Sequence, residues 1–525
     1  MTGHVDTFVR DNLPPRDQWP ELRFTLPELQ FPEQYNASSI LDAAIANGHG
    51  ARNAVLTAAQ TLSYEALLRE ASKLAHVLVT EFGLAAGNRV LVHSSNTKLS
   101  IPVWWGVFRA GGVAVGTMPM LRAHELAVIL DKAKVTHAIV DAHLAGELEQ
   151  ASEDAPSLKH IIHADDLSSR MERAPDSIPA APTVPDDPAL IAFTSGTTGK
   201  PKGCVHFHRD IAAMAETFSR HVLQPKPSDV FIGTPPLAFT FGLGAGVVFP
   251  ANVGAATVVC PKPGFDVLAD TIAQHKATTL FTSPTGYRAL MKQDLSKITS
   301  LHTCVSAGEH LPKATSDQWF ERTGIRIIDG IGATEMIHIF VSARGDDVRP
   351  GATGKAVPGY EATLLDENDQ PFDGEGEGRL AIRGPTGCRY LADERQRNYV
   401  VNGWNVTGDL YRRDADGYFW YLARADDMII SSGYNIGAPE VENALLTHDA
   451  ISEAAVIGMP DEERGQIVKA FIVLKPGAAA DARTLQDHVK QTIAPYKYPR
   501  AIEFVAELPK THTGKLQRFK LRESP

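Results

Sequence analysis

The run Thr194, Ser195, Gly196, Thr197, Thr198, Gly199, Lys200, Pro201, Lys202, Gly203 constrains this chain more than any other stretch. It follows the short apolar segment 189–193, which reads as a buried strand. Its three glycines let the backbone approach an oxyanion closely, and its four hydroxyls and two lysines add donors and positive charge. The spacing is not that of the G-x-x-x-x-G-K-[ST] loop, because Pro201 follows Lys200. Residues 208–222 then carry apolar side chains at helical spacing, at Ile211, Met214, Ala215 and Phe218. A strand, a glycine-rich turn and a later helix form a setting for holding a polyphosphate. The plainer alternative is a Ser/Thr/Gly-rich surface turn, and ten such positions directly after a buried strand weigh against it.

A chain of 525 residues must hold more than one domain, since single cores stop growing at roughly 250–300 residues. The net charge of −11 speaks against a general nucleic-acid binder. Four scattered cysteines form no C-x-x-C pair, so the expectation is reduced thiols in a cytoplasmic protein rather than zinc ligands or disulfides. The N-terminus lacks the apolar centre of a secretory leader. The most apolar stretch, 243–260, contains Pro250, Asn252 and several glycines, which suits a core segment rather than a membrane span. Residues 1–40, rich in Pro and charge, are expected to wrap over the surface.

The pattern along the chain divides it. Residues 51–190 alternate helical stretches (64–80, 101–110) with strands (89–92, 113–115), as an α/β sheet does. A second α/β block reaches to about residue 345. From 351 to 426 helical patterns disappear and short strands such as 361–365, 379–383 and 418–421 indicate a β-rich subdomain. The remaining residues read as helix 439–447, with Pro439 in its first turn, strands 453–457 and 469–474, helix 482–493 and strand 501–505. That is a separate small α+β domain.

The loop 194–203 is similar to the signature of the adenylate-forming superfamily: acyl- and aryl-CoA synthetases, adenylation domains of peptide synthetases, and luciferases. Further matches follow in that family's order: Gly330-Ile331-Gly332-Ala333-Thr334-Glu335, Thr407-Gly408-Asp409, Arg424-Ala425-Asp426-Asp427 with Ser432-Gly433-Tyr434-Asn435, and PKTHTGKLQR at 509–518. Each motif alone is weak; together they are specific, and they cover about residues 40–520. The resemblance implies an α/β protein. A large N-terminal domain of α/β subdomains plus the β-rich subdomain would span 1–425, and a small mobile C-terminal α+β domain 426–525, with its hinge at Asp426. It implies ATP, Mg2+ and coenzyme A, with a carboxylic acid first adenylated and then passed to the thiol.

Roles carry over residue by residue. Thr194, Ser195, Gly196, Thr197, Thr198, Gly199, Lys200 and Lys202 would hold phosphate, Thr334 would contact the α-phosphate, and Glu335 would help hold Mg2+. Gly308, Glu309, Asp329, Gly330, Ile331 and Gly332 would border the nucleotide. Asp409 and Arg424 would meet the ribose, and Gly433 and Tyr434 would lie beside the cofactor path. Lys515 would neutralise charge as the carboxylate attacks phosphorus. Taken singly, Glu335 reads equally as a helix-start acid, Asp409 as a turn aspartate, Arg424 as a surface ion pair and Lys515 as a tail lysine.

Residues 235–242 resemble the family's acyl-pocket turn, with Phe239, Thr240 and Phe241 as candidate acid contacts beside Ala307 and Gly332. No Asp stands here to pair an α-ammonium, which disfavours amino-acid substrates. His338 is similar to the histidine that borders the aryl ring in benzoate-type ligases; a structural histidine is an equal alternative. Gly387-Cys388-Arg389-Tyr390-Leu391 and residues 432–437 are similar to 2-aminobenzoate-CoA ligases. Ser306-Ala307-Gly308-Glu309 departs from the family's usual Gly-Gly pair. The expected substrate is a small aromatic carboxylic acid of benzoate type, with 2-aminobenzoate as one candidate. The alternatives are a medium-chain or other acyl-CoA synthetase, or an adenylation enzyme that loads a carrier protein. No nucleic acid and no membrane are expected as partners, and a homodimer is one option for assembly.

Overall fold

Residues such as Val90, Leu91 and Val92, or Val113, Ala114 and Val115, form unbroken apolar runs with no polar alternation, so the strands they make must be covered on both faces. In the computed structural model, which describes residues 2–58, 60–97, 99–194, 201–260, 264–431, 434–461, 464–510 and 516–523, they lie inside a sheet with helices packed against it. That sheet runs His160–His163, His137–Val140, Arg89–His93, Val113–Gly116, Pro188–Thr194, Lys202–Phe207. All neighbours are parallel except the last pair.

The helix Tyr64–Thr80 begins where Ser63 accepts a hydrogen bond from the Ala66 N–H at 3.2 Å. It packs against Ser100–Arg109 because Gly106 has no side chain: a Cβ there would lie 2.5 Å from Leu74 Cδ2.

A second sheet is ordered Lys355–Ala356, Ile339–Ser342, Ile327–Gly332, Thr303–Ser306, Thr279–Thr282, Val230–Gly233, Ala256–Val258, Asn53–Leu56, Thr61–Ser63. Its centre is parallel and its two ends are antiparallel. The β-rich subdomain is an antiparallel sheet built on Glu361–Leu365, Gly376–Arg383, Trp404–Arg413 and Phe419–Arg424. The smaller C-terminal domain sets the helices Ala438–Leu446 and Ala482–Thr492 on a sheet of Tyr434–Gly437, Met428–Ser431, Gly465–Leu474, Ile451–Asp461 and Ala501–Phe504. Among the described residues no helix is long and apolar enough to cross a membrane.

Three local differences from the sequence expectation matter. The segment after the phosphate loop is a strand, Lys202–Phe207, so the loop joins two antiparallel strands before the helix begins. The helix expected over 208–222 is α-helical only at His208–Met214 and continues with π-type turns at Ala215–Leu223. The β-rich subdomain also holds one short helix, Gln396–Tyr399.

The N-terminal segment does wrap the surface, and it is tied down. Asp187 accepts from the Thr2 hydroxyl, from Gly3 N–H at 2.8 Å and from Val184 N–H at 2.9 Å.

The strand Lys202–Phe207 is bound on its free edge to residues 389–391. Val205 N–H donates to Arg389 O at 2.8 Å and Leu391 N–H to Gly203 O at 2.8 Å. Arg389 and Asp210, neither exposed to solvent, form an ion pair behind that edge. The Arg389 guanidinium also lies 4.0 Å over the Phe207 ring. Asp210 accepts from the Phe207 N–H at 3.0 Å, so it caps its own helix as well. Burial alone would raise the Asp210 carboxyl, but Arg389 and His206 hold it below the usual range. Asp210→Ala is expected to strand a buried guanidinium and to cost about 3–5 kcal/mol, read as a lower urea midpoint. The pair Asp210→Ala with Arg389→Met is expected to be milder. An unchanged midpoint in Asp210→Ala would show that the ion pair contributes nothing.

Candidate active site

Parallel strands all deliver their carboxyl ends to the same edge, and side chains just beyond those ends meet in the crevice between sheets. A cavity of about 1510 Å³ lies there. Val92 and Thr117 reach it from the first sheet, Thr234, Ser283 and Ala307 from the second, and Thr407 and Asp409 from the β-rich subdomain.

Of the phosphate-loop residues, Ser195, Gly196, Thr197, Thr198, Gly199 and Lys200 lie outside the described residues, as does Lys515. Thr194 and Lys202 flank the loop and line the cavity. The Thr194 hydroxyl is buried, with no hydrogen-bond partner among the described residues. Lys202 donates to the Tyr390 hydroxyl at 2.7 Å, and that hydroxyl donates to Glu335 Oε1. Lys202 Nζ stands 3.6 Å from the same Glu335 oxygen. Burial and the Glu335 carboxylate push the Tyr390 phenol far above its ordinary pKa.

Thr334 and Glu335 sit on the one-turn helix Thr334–Met336, whose backbone is pinned from behind. His206 Nε2 donates to Thr334 O at 2.7 Å and the Thr386 hydroxyl to Met336 O at 2.9 Å. Among the described residues no group of three or more His, Cys, Asp or Glu side chains converges as a metal site. One carboxylate beside a phosphate loop nevertheless fits Mg2+, which takes most of its oxygens from phosphate and water.

Of the residues expected to border the nucleotide, Gly308, Glu309, Ile331, Gly332, Asp409 and Arg424 line the cavity. Glu309 accepts from the Thr285 hydroxyl at 3.1 Å. Asp409 and Arg424 face each other across adjacent antiparallel strands, with Arg424 Nε 3.4 Å from Asp409 Oδ1. Asp329 and Gly330 are on the strand Ile327–Gly332 but do not reach the cavity. One Asp329 carboxyl oxygen is buried without a partner, and burial raises that carboxyl well above the usual range. Tyr434 also stands away from the cavity, half exposed and stacked on Tyr496 at 4.5 Å between ring centroids. Gly433 and the Asp426 side chain are outside the described residues. The Asp426 backbone belongs to the short turn Ala425–Asp427, between the β-rich subdomain and the small domain.

The candidate acid contacts Phe239, Thr240, Phe241, Ala307, Gly332 and His338 all stand on the cavity wall. Ile337, between Glu335 and His338, has φ +67°, a strained conformation for a β-branched residue. It turns His338 away from Glu335 into a cluster of rings. The imidazole is 4.6 Å from Phe249, 5.4 Å from Phe218 and 5.7 Å from Phe241, centroid to centroid. Burial pushes its pKa down to about 3 against a smaller opposing effect of the Phe241 backbone, and neither ring nitrogen meets a partner in hydrogen-bond geometry.

Two groups at the site escaped the motif reading. Tyr390 stood only in a run of similarity, and Arg395 with Asn398, on the cavity wall, stood in no motif at all. Arg395 is held by Asp393, which also binds Lys132 at 2.6 Å.

The AMP-binding enzyme family matches residues 43–390, and the AMP-binding enzyme C-terminal domain matches residues 440–515. Benzoate–CoA ligase of Thauera aromatica is 36% identical over 516 residues, covering 95% of this chain and 98% of that protein. Acyl-coenzyme A synthetase ACSM3 of Mus musculus is 35% identical over 489 residues, covering 88% and 84%. The crystal structure of the anthranilate CoA ligase AuaEII in complex with anthranoyl-AMP superposes with a TM-score of 0.90 at 35% identity, over 95% of this chain and 99% of that one. On these matches the chain belongs to the AMP-binding enzymes and is an acid–thiol ligase that uses ATP, Mg2+ and coenzyme A.

Proposed function

We propose that this ligase is an aryl-CoA ligase: it joins a benzoate-type acid, with 2-aminobenzoate as the leading candidate, to AMP and then to coenzyme A, releasing pyrophosphate and AMP. The observation that carries the reading is His338, a neutral, buried imidazole with unpartnered nitrogens set among aromatic rings on the cavity wall. A flat ring would fill the apolar slot, and an ortho amino group would reach the accepting imidazole nitrogen, which is buried, only as the ring seats against the histidine. An aliphatic acid, the alternative substrate, leaves that nitrogen unpaired, at about 1–3 kcal/mol for a buried group.

In this reading the acid carboxylate attacks the α-phosphorus of ATP. Thr194, Lys202 and the loop between them hold the departing pyrophosphate, and Thr334 contacts the α-phosphate. Mg2+, held through Glu335, supplies positive charge to the phosphate oxygens. Gly308, Glu309, Ile331 and Gly332 border the base, with Asp329 and Gly330 behind them on the strand that carries Ile331 and Gly332, while Asp409 and Arg424 hold the ribose. Phe239, Thr240, Phe241 and Ala307 enclose the acid. The domain boundary falls at 425/426. Lys515 serves adenylation, and the small domain then turns about Asp426 to admit the thiol past Gly433 and Tyr434. Reduced cysteines suit a cytoplasmic setting.

Acid-dependent exchange of labelled pyrophosphate into ATP, without coenzyme A, is the expected activity, and Lys515→Ala is expected to abolish most of it. Exchange into ADP instead would overturn the scheme. Asp409→Ala is expected to raise the KM for ATP about ten- to a hundredfold, the worth of hydrogen bonds to a charged group, with the KM for the acid little changed. Because the His338 imidazole is neutral from about pH 5 upward, the preference for 2-aminobenzoate over benzoate is expected to stay level between about pH 6 and about pH 8.5. It is expected to vanish in His338→Ala. A preference that fades above about pH 6.5 would assign the contact to an imidazolium instead.

A further inference from the structure

Tyr390 is fully buried and does not line the cavity, yet its hydroxyl touches two residues that do. It accepts from Lys202 at 2.7 Å and donates to Glu335. Its own position is fixed on several sides. It pairs as a β-bridge with Cys204, its N–H donates to Gln396 Oε1 at 2.9 Å, and its neighbour Arg389 is locked to Asp210. Gln396 is anchored in turn by Cys388 O at 3.0 Å and Gln18 O at 2.9 Å. The Lys202 ammonium also lies over the Tyr390 ring, 4.7 Å from its centroid.

Lys202 and Glu335 are opposite charges only 3.6 Å apart. In a site shielded from water such a pair tends to close, and a closed pair would withdraw the lysine from phosphate and the carboxylate from a metal ion. A hydroxyl between them accepts from one and donates to the other. Both are satisfied, the two charges stay 3.6 Å apart rather than in hydrogen-bond contact, and the carboxylate is held in place.

We propose that Tyr390 is a positioning residue for the adenylation half-reaction, its hydroxyl holding Glu335 and Lys202 apart in the arrangement that a metal–ATP complex requires. The inference rests on the ligase reading above. Outer partners of metal-binding carboxylates govern metal affinity by about ten- to a hundredfold, so the effect is measurable.

Tyr390→Phe removes the hydroxyl and keeps the ring. Binding of Mn2+ in the presence of ATP, followed by electron paramagnetic resonance without any acid, is expected to weaken about ten- to a hundredfold. Acid-dependent pyrophosphate exchange is expected to need correspondingly more Mg2+. Conversion of synthetic acyl-AMP and coenzyme A to acyl-CoA is expected to stay within about twofold of the wild type, because that step uses neither the metal nor pyrophosphate. In a Glu335→Gln background the same change is expected to add little, since the two residues act as a unit. Mn2+ affinity within about twofold of the wild type would overturn the inference, and so would equal losses in both half-reactions, the mark of a merely structural residue. Because the Mn2+ measurement needs no acid, it reads the inference even where wild-type protein shows no pyrophosphate exchange, a result that would instead defeat the ligase reading.

Discussion

The pairing of Arg389 with Asp210 is the constraint from which the charged half of the site follows. Two ionised groups with no exposure to water must meet each other in a fixed geometry, because neither can be left unpaired at tolerable cost. Arg389 also spans the Phe207 ring and approaches Trp19 at 5.3 Å, so the pair is clasped from the N-terminal segment too. Residues along an extended segment alternate sides. With Arg389 committed to the interior on one side, Cys388 and Tyr390 must face the other. There they pack with Cys204, on the strand that also presents Lys202 and His206 to the same side. A buried ion pair off the cavity wall thereby decides where the hydroxyl between Lys202 and Glu335 stands.

The turn that holds Glu335 imposes the second constraint. It links antiparallel strands, and its tightness is carried by Ile337 at a positive φ of +67°, a strain of about 1–3 kcal/mol. Full burial of Met336 and Ile337 and the pinning of two backbone carbonyls by His206 and Thr386 offset that strain. The result is that residues three apart point to opposite ends of one cavity: Glu335 toward Lys202 and Tyr390, His338 toward Phe218, Phe241 and Phe249. One strained residue divides the cavity into a charged end and an aromatic end.

Much of this was legible in the chain itself, and the exceptions share a cause. The strands of the parallel sheets, the long helix Tyr64–Thr80 and the small domain announce themselves through apolar runs and helical spacing. The strand Lys202–Phe207 does not, because Lys202 and His206 put polar side chains on an inward face. They are tolerated there only because the Tyr390 hydroxyl and the Thr334 carbonyl receive them. Those partners lie 188 and 128 positions away, beyond the reach of any local pattern. Tyr390 was hidden in the same way, for its link to Glu335 spans 55 positions. The motif residues Thr334 and Glu335 are legible locally; the residues that hold them do so through contacts that only the fold creates.

The aromatic end shows how such holding bears on selectivity. His338 cannot swing aside. A Cβ on Gly244 would come within 2.6 Å of its ring, and one on Gly332 within 2.8 Å of its carbonyl oxygen, so both neighbours are already at contact. Rings close the remaining sides, and burial keeps the imidazole neutral. Among the described residues neither ring nitrogen meets a partner in hydrogen-bond geometry. A ligand that supplies a donor satisfies the accepting nitrogen, and one that offers only carbon leaves it unmet. A site built around an unmet polar group rejects the analogue lacking the matching group far more strongly than an apolar pocket rejects a missing methylene. For an aromatic acid bound beside His338, selectivity would come from the ring substituent, while the ring itself supplies mainly affinity.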